Sequence, residues 1–370
     1  MSEETLRRTP LHGEHAAAGA KLVPFAGYEM PIQYPTGITT EHNAVRTTAG
    51  LFDVSHMGEF EISGPQALEL VQYVTTNDAS TLSLGQAQYS TLCRDDGNLL
   101  DDLLVYRFDD RYMLVVNAAN RDEDFAWIRD HAPRFDAELT DRSDEIALLA
   151  VQGPRAARIL QQLTRMDLSE IGYYRFAEGD LDGRPAILSR TGYTGEDGFE
   201  LYVAINDADH LWRTILKAGE SDGIIPAGLG ARDSLRLELG YPLYGNDLDE
   251  GRNPLEAGLG WVTKLEKGDF VGRDALARVK QEGPHERLIG FKLLQRGFPR
   301  PGYEIQHDGR FVGQVTSGTL SPSLGIGIGL AYVPAEISRP GTHLAVLIRG
   351  QPMTAEVVRP PFYTDGSIRR

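Results

Sequence analysis

The chain reads as an α+β protein followed by a small all-β unit, and three observations carry that reading. Strand-like runs are joined by tight turn signals into hairpins, as where residues 89–93, Asp95-Asp96-Gly97-Asn98 and residues 99–108 follow one another. Helical stretches recur between such runs at irregular intervals rather than as regular βαβ crossovers, which argues against a doubly wound parallel sheet. From about Glu286 the texture changes to short β-prone runs punctuated by Gly and Pro, the pattern of a small β-barrel or sandwich.

In chain order, Thr9-Pro10-Leu11-His12 opens an N-capped helix over 14–19, and residues 21–28 read as a strand running into a turn. Pro31 and Pro35 keep the next segment extended. Residues 37–50 have helical spacing, with Thr39-Thr40-Glu41 as capping residues and Gly50 as the stop. A strand over 51–62 follows, its alternation broken at Ser55-His56-Met57; then come an amphipathic helix over 65–75 and the hairpin. A strand over 112–117, a helix over 120–131 and strands over 136–139 and 146–152 come next. Gly153-Pro154-Arg155 starts a helix to residue 163, with proline where its missing N–H costs nothing. Helices are expected over 207–219 and beyond the Gly-rich run 226–231. The C-terminal unit takes strands over 287–293, 311–317, 325–332, 344–348 and 353–358.

A length of 370 residues fits two or three domains and leaves ample chain for a packed core. No window approaches the roughly 18 apolar residues of a membrane span, so a membrane role is not expected. The formal net charge of −16 argues against binding nucleic acid through its phosphates. That charge is uneven: residues 291–370 carry +4 against −20 on the rest, so either the C-terminal unit meets an acidic partner or its charge is an ordinary solvated surface, the more common case. Met1 to Arg8 lack the apolar core of a targeting signal and Cys93 stands alone, which makes the cytoplasm the expected compartment.

The chemistry concentrates at two places. In the strand after the hairpin turn, alternation puts Leu99, Asp101, Leu103 and Val105 on one side and Leu100, Asp102, Leu104, Tyr106 and Phe108 on the other. Both faces are otherwise apolar, so at least one carboxylate sits where an unpaired charge is costly. Either the acids lie at the mouth of the hairpin, solvated or tied to backbone amides, or one faces a pocket with its pKa tuned for proton or cation chemistry. Asp102 is the candidate, because its face ends in Tyr106 and Phe108, a wall for a flat heterocycle. The second place is Arg190-Thr191-Gly192-Tyr193-Thr194-Gly195-Glu196-Asp197-Gly198, whose evenly spaced glycines lead into a strand with Glu200 near its start. A structural turn with exposed acids explains those glycines as well as a site does.

Other leads fail. His12 and His15 lack a third ligand at any recognisable spacing, so no metal site is expected. Ser317 lacks the Gly-x-Ser-x-Gly elbow. The run at Gly228-Leu229-Gly230 has neither a phosphate-loop ending nor a dinucleotide fingerprint, although its helix N-terminus can face an anion. Gly325, Gly327 and Gly329 read as close backbone packing, and Cys93 as a core thiol.

Taken together, Phe52-Asp53-Val54-Ser55-His56-Met57, Leu100-Asp101-Asp102-Leu103, Arg190-Thr191-Gly192-Tyr193-Thr194-Gly195-Glu196 and Gly228-Leu229-Gly230-Ala231-Arg232-Asp233 resemble the T-protein of the glycine cleavage system, the aminomethyltransferase. The likeness continues through Leu243-Tyr244-Gly245, Pro254-Leu255 and Thr316-Ser317-Gly318 to Pro361-Phe362-Tyr363, and so runs the length of the chain. Asn98 departs from the family, which often has a second glycine there. The resemblance implies a three-domain cloverleaf: two interleaved α+β subdomains around a folate pocket over 1–280, the inner one about 50–140, and a C-terminal β-barrel over 281–370. It implies transfer of the one-carbon unit from the aminomethyl-lipoyl arm of H-protein to tetrahydrofolate, releasing ammonia. On that resemblance Asp102 is the essential carboxylate, Glu200 the pterin-reading acid and Arg232 a folate-site arginine, with Met57, Tyr89, Asn117, Tyr193, Trp261 and Tyr363 lining the pocket. A carboxylate in a low-dielectric pocket suits this chemistry, because opening the carbon–sulfur bond generates an iminium-like cation. Two other classes share the module. Flavin-dependent dimethylglycine and sarcosine dehydrogenases carry a dinucleotide-binding domain that this chain lacks, and a noncatalytic folate-binding relative of iron–sulfur assembly carries a cysteine signature that is absent here. Arg339, Arg349, Arg359, Arg369 and Arg370 make the C-terminal unit a docking candidate for the acidic carrier.

Overall fold

The computed structural model describes residues 6–369, Arg369 by its backbone alone. Most of the stretch read for a targeting signal, and Arg370 of the basic set, lie outside the described residues.

The larger part of the chain builds two sheets that share a core. In the six-stranded sheet, Ala49–Asp53 and Ile146–Gln152 pair antiparallel, with Leu51 opposite Val151 and Phe52 opposite Ala150. Gly198–Ala204, Arg184–Ser189 and Phe176–Leu181 extend it antiparallel on one side, and Ile224–Pro226 joins the other edge in parallel. Alternation sends Leu51, Leu149, Val151 and Leu201 to helices Ala156–Leu160 and Ala208–Ala218, while Phe52, Leu148, Ala150 and Tyr202 point the other way. The five-stranded sheet is antiparallel throughout, in the order Gln86–Cys93, Leu99–Arg107, Arg111–Val116, Gly58–Ser63, Glu138–Asp141. Its Phe60, Leu103, Val105 and Leu114 face helices Ala67–Val74 and Arg121–His131, and its Tyr106, Phe108, Met113 and Val115 pack against the apolar face of the first sheet. Every strand of the second sheet lies, in sequence, between two paired strands of the first. The two α+β units are therefore interleaved.

The structure corrects the sequence reading in several places. Residues 51–62 form two strands in different sheets, because the chain turns at 54–57: Asp53 accepts the Ser55 N–H at 2.9 Å, and the Met57 N–H donates to Val54 at 3.1 Å. Residues 21–33 form a hairpin, Lys21–Phe25 with Tyr28–Gln33. Thr9 does not cap the first helix, His12–Ala17, but donates to buried Asp53 at 2.6 Å; the Asp53 carboxylate also meets His15 at 2.9 Å. Helix Ile38–Thr47 has no side-chain cap; Glu41 instead accepts the N–H groups of Tyr34 and Gly228 at 2.6 and 2.9 Å. A bulge where the Leu99–Arg107 strand begins moves Leu100 from the Asp102 face to the core of Leu103 and Val105. Strands Phe176–Leu181, Arg184–Ser189 and Glu304–His307 and helix Arg273–Glu282 were not expected.

The C-terminal strands close into a barrel, not a sandwich, in the order Glu286–Leu293, Gly327–Pro334, Arg310–Leu320, Glu304–His307, His343–Ile348, Gln351–Val358. Phe291, Ile305, Val315, Val333, Val346 and Val357 fill it. A Cβ at Gly329 would fall 2.4 Å from the Phe291 ring, which explains the glycine there. Helix Leu229–Leu239 joins this barrel to the sheets. Its buried Glu238 accepts from Ser321 and Ser323 at 2.5 and 2.8 Å and from Arg46 of helix Ile38–Thr47 at 2.7 Å. Its Arg236 donates to Ser317 at 2.7 Å and to Asp247 at 2.6 Å.

Candidate active site

Between the two sheets, under helix Leu229–Leu239 and the segment 242–244, lies an open cavity with about 990 Å³ free of protein atoms, its mouth included. Met57, Tyr89, Asp102, Asn117, Tyr193, Glu200 and Arg232 all line it, though they are spread over 176 positions of sequence. Trp261 and Tyr363 are not on its wall. Trp261 is 60% exposed and stacks on the outside of Tyr89, ring centres 6.0 Å apart. Tyr363 lies under the Arg46 guanidinium, 4.2 Å from its ring centre, at the seam with the barrel. The apolar wall also differs from expectation. Tyr106 and Phe108 are drawn into the core shared by the sheets, and the lining comes instead from Leu104, Val115, Leu148, Tyr174 and Tyr202.

Asp102 occupies the cavity side of its strand, and two donors fix its carboxylate: Tyr89 Oη at 2.9 Å to Oδ2 and Asn117 Nδ2 at 2.9 Å to Oδ1. The same Asn117 amide donates to Asp101 Oδ1 at 2.8 Å, so one side chain holds both acids. Asp101 is wholly buried on the far face, where it also accepts the Asn117 N–H at 3.0 Å and the Asn120 amide at 2.8 Å. Beside it, among the described residues, no hydrogen-bond partner meets the buried Asp124 carboxyl, and burial and then the charge of Asp101 raise its pKa well above the carboxylate range. The Asp102 carboxyl is pushed up to about 7, by burial first and by the charge of Asp101 next, against the bonds from Tyr89 and Asn117. An acid poised there can exchange a proton at neutral pH.

Glu200 stands across the cavity on the strand Gly198–Ala204. The Thr191 hydroxyl donates to its Oε2, and Thr191 is held in turn by Ser189 at 2.9 Å and by Tyr106 at 3.3 Å. Burial raises the Glu200 pKa; the Thr191 bond and the nearby Arg232 charge oppose the rise. The glycines of the preceding loop serve close packing: a Cβ at Gly192 would lie 2.1 Å from the Gln152 side chain, which itself lines the cavity. Arg232, in the first turn of helix Leu229–Leu239, is the third polar group. Among the described residues its guanidinium makes no hydrogen bond or ion pair; it packs over the Tyr193 ring at 5.4 Å, and burial lowers its pKa. A second hollow, reaching Phe25 and His56, meets the first at Arg232, Asn117 and Tyr244. Burial, and then the Arg232 charge, push the His56 pKa down to about 3, so that imidazole is neutral. The arrangement offers an apolar-walled cavity, the carboxylates of Asp102 and Glu200 from the two sheets, and an unpaired guanidinium. That set fits a planar heterocycle rich in N–H donors with an anionic extension.

The relatives of the chain give the class of enzyme to which this fold and cavity belong, the group-transfer enzymes. The model of the GCVT N-terminal domain matches residues 11–267, and that of the glycine cleavage T-protein C-terminal barrel domain matches residues 286–364. An aminomethyltransferase of Symbiobacterium thermophilum is 53% identical over 97% of this chain and 98% of its own, and one of Bacillus subtilis is 48% identical over 97% and 99%. The crystal structure of aminomethyltransferase T from Bartonella henselae superposes with a TM-score of 0.91 at 37% identity, covering 97% of this chain and 98% of that one. The chain belongs to the aminomethyltransferase family, the T-proteins of the glycine cleavage system.

No helix among the described residues is long and apolar enough to cross a membrane.

Proposed function

We propose that Asp102 is the catalytic carboxylate of the aminomethyl transfer, and that Glu200, Arg232, Met57, Tyr89, Asn117 and Tyr193 hold tetrahydrofolate in the cavity. The donor is the aminomethyl group on the lipoyl arm of H-protein, in the cytoplasm; ammonia leaves and the arm returns to the dithiol. Tetrahydrofolate, when bound, supplies the nitrogens that accept the carbon. The protein's contribution is preorganisation. Tyr89 and Asn117 fix the Asp102 oxygens before the cationic carbon develops, so its charge meets an oriented carboxylate in a water-poor site. With its pKa at about 7, Asp102 also takes up a proton in the working range. Glu200, oriented by Thr191, accepts from the pterin N–H groups, and Arg232 meets the anionic part of the ligand.

One observation carries this reading: two half-buried carboxylates, Asp102 and Glu200, and an unpaired guanidinium converge on a single aromatic-walled cavity. Trp261 is assigned to bracing Tyr89 from outside, and Tyr363 to the barrel seam. For the domain division we take 1–280 as the folate-binding region, with the inner subdomain about 50–140, and 281–370 as the barrel; the two sheets and the closed barrel support it. The test is folate-dependent release of ammonia from aminomethyl-loaded H-protein. Asp102→Asn should lose at least about a hundredfold in kcat with the fold intact, whereas Glu200→Gln should raise the folate KM more than it lowers kcat. Wild-type turnover by Asp102→Asn removes the assignment.

A further inference from the structure

Among the described residues, five other than glycine have a positive φ: Ala26, Tyr174, Asp182, Asp308 and Arg349. Four of them have an evident reason. Ala26, Asp182, Asp308 and Arg349 each precede a glycine in a two-residue loop joining paired strands, where the turn demands a positive φ at both positions. Tyr174 is the exception. It is followed by Arg175, and its φ is +58°.

Its backbone cannot relax elsewhere. The Arg175 N–H closes a turn on Gly172 at 2.9 Å, which puts Tyr174 at the third position of a turn where glycine or asparagine ordinarily supplies the positive φ. The Tyr174 N–H donates to Arg190 at 3.0 Å, in the loop that leads to Glu200. Its carbonyl accepts from Ala87 at 2.9 Å, two residues from Tyr89. The turn is thus stitched to both sheets, one bond toward each acid. Tyr174 lines the cavity together with Tyr89, Asp102 and Glu200. A bulky side chain at such a φ is a backbone outlier that persists only where the surroundings enforce it.

We propose that Tyr174 is a substrate-contacting residue whose ring covers one face of the folate ring system between Glu200 and Asp102, and that the left-handed turn exists to aim it there. This rests on the reading of the cavity as the folate site, and it adds the residue that sets the ligand's plane. The strained turn delivers a ring where a relaxed turn, with glycine, delivers none.

Three variants of the full-length enzyme test it. Tyr174→Gly and Tyr174→Ala both remove the ring, but only alanine must bear the positive φ. The glycine variant should therefore melt above the alanine variant, the reverse of the usual order. Both should raise the folate KM about tenfold with kcat at saturating folate nearly kept, as expected when a stacking contact common to ground and transition states is lost. Tyr174→Phe should keep the wild-type KM. Glycine and alanine variants with a wild-type folate KM overturn the proposal, as does an alanine variant that melts above the glycine one. If Glu200→Gln leaves folate binding untouched as well, it is the reading of the cavity that fails.

Discussion

A carboxyl that releases its proton near 7 when folded, against an ordinary value of 3.8, binds that proton more tightly in the folded chain than in the unfolded one. Its contribution to stability is complete below the ordinary value and is lost as pH rises through about 7. Replacing Asp102 by asparagine should then raise the melting temperature by about 2 °C or more at pH 8 and leave it nearly unchanged at pH 4, measured by calorimetry. Activity and stability are expected to move in opposite directions. Asp101→Asn removes the charge that helps lift Asp102, so the ionisation seen in the pH profile of kcat/KM should shift to lower pH; an unmoved profile removes Asp101 from that role. The sequence showed the two acids because strand alternation forces a carboxylate onto each face. It did not show the wall. Which aromatic rings reach the cavity depends on how two sheets distant in sequence face each other, and that packing took Tyr106 and Phe108 into the core while bringing in Tyr174 and Tyr202.

Among the elements, the hairpins with an unmistakable turn were the readable ones, and the gaps have physical causes. Phe176–Leu181 was missed although Asp182-Gly183 is a strong turn pair, because Glu178, Gly179 and Asp180 give it little β preference; its strand is held by pairing with Arg184–Ser189. Residues 51–62 looked like one strand because the local mark of the change of sheet is the broken alternation at Ser55-His56-Met57, and a break in alternation alone does not tell an irregular strand from a turn. Lys267 shows a long-range support invisible in sequence. Its Nζ donates to the carbonyls of Gln72, Thr75 and Asn77 at 2.7, 2.5 and 2.8 Å, and so finishes helix Ala67–Val74 from nearly two hundred residues away. Lys267→Met should leave those carbonyls unpaired and cost about 2 kcal/mol in urea unfolding, with the folate KM unchanged.

For the molecule as a whole, the barrel is held to the sheets by a polar seam centred on Glu238. Burial pushes this carboxyl up, but hydrogen bonding from His42 and the charges of His42 and Arg46 bring it down to about 2. Its stabilising contribution is full above the ordinary glutamate value of 4.5 and is lost as pH falls toward about 2. Glu238→Gln should cost about 3 kcal/mol at neutral pH and flatten acid sensitivity in that window, both followed by circular dichroism. The basic charge read from the C-terminal sequence does not gather into one patch. Arg349 caps the hairpin of His343–Ile348 and Gln351–Val358, whereas Arg339 and Arg359 stand by its opposite end, roughly 25 Å away for an eight-residue strand. Reversing Arg349 alone, or Arg339 and Arg359 together, should therefore raise the carrier's apparent KM in only one case, in a salt-dependent way; no change in either excludes the barrel as the docking face. The interleaving of the sheets has an engineering consequence. Ala49–Asp53 and Ile146–Gln152 are paired neighbours, so the entry and exit of the inserted unit lie side by side. Chimeras that exchange residues 55–144 with a homologue keep every ladder within both sheets and test whether the two apolar surfaces, the Ala87–Tyr174 bond and the Lys267 bonds still mate, which makes those two junctions the natural crossover points for recombining this enzyme.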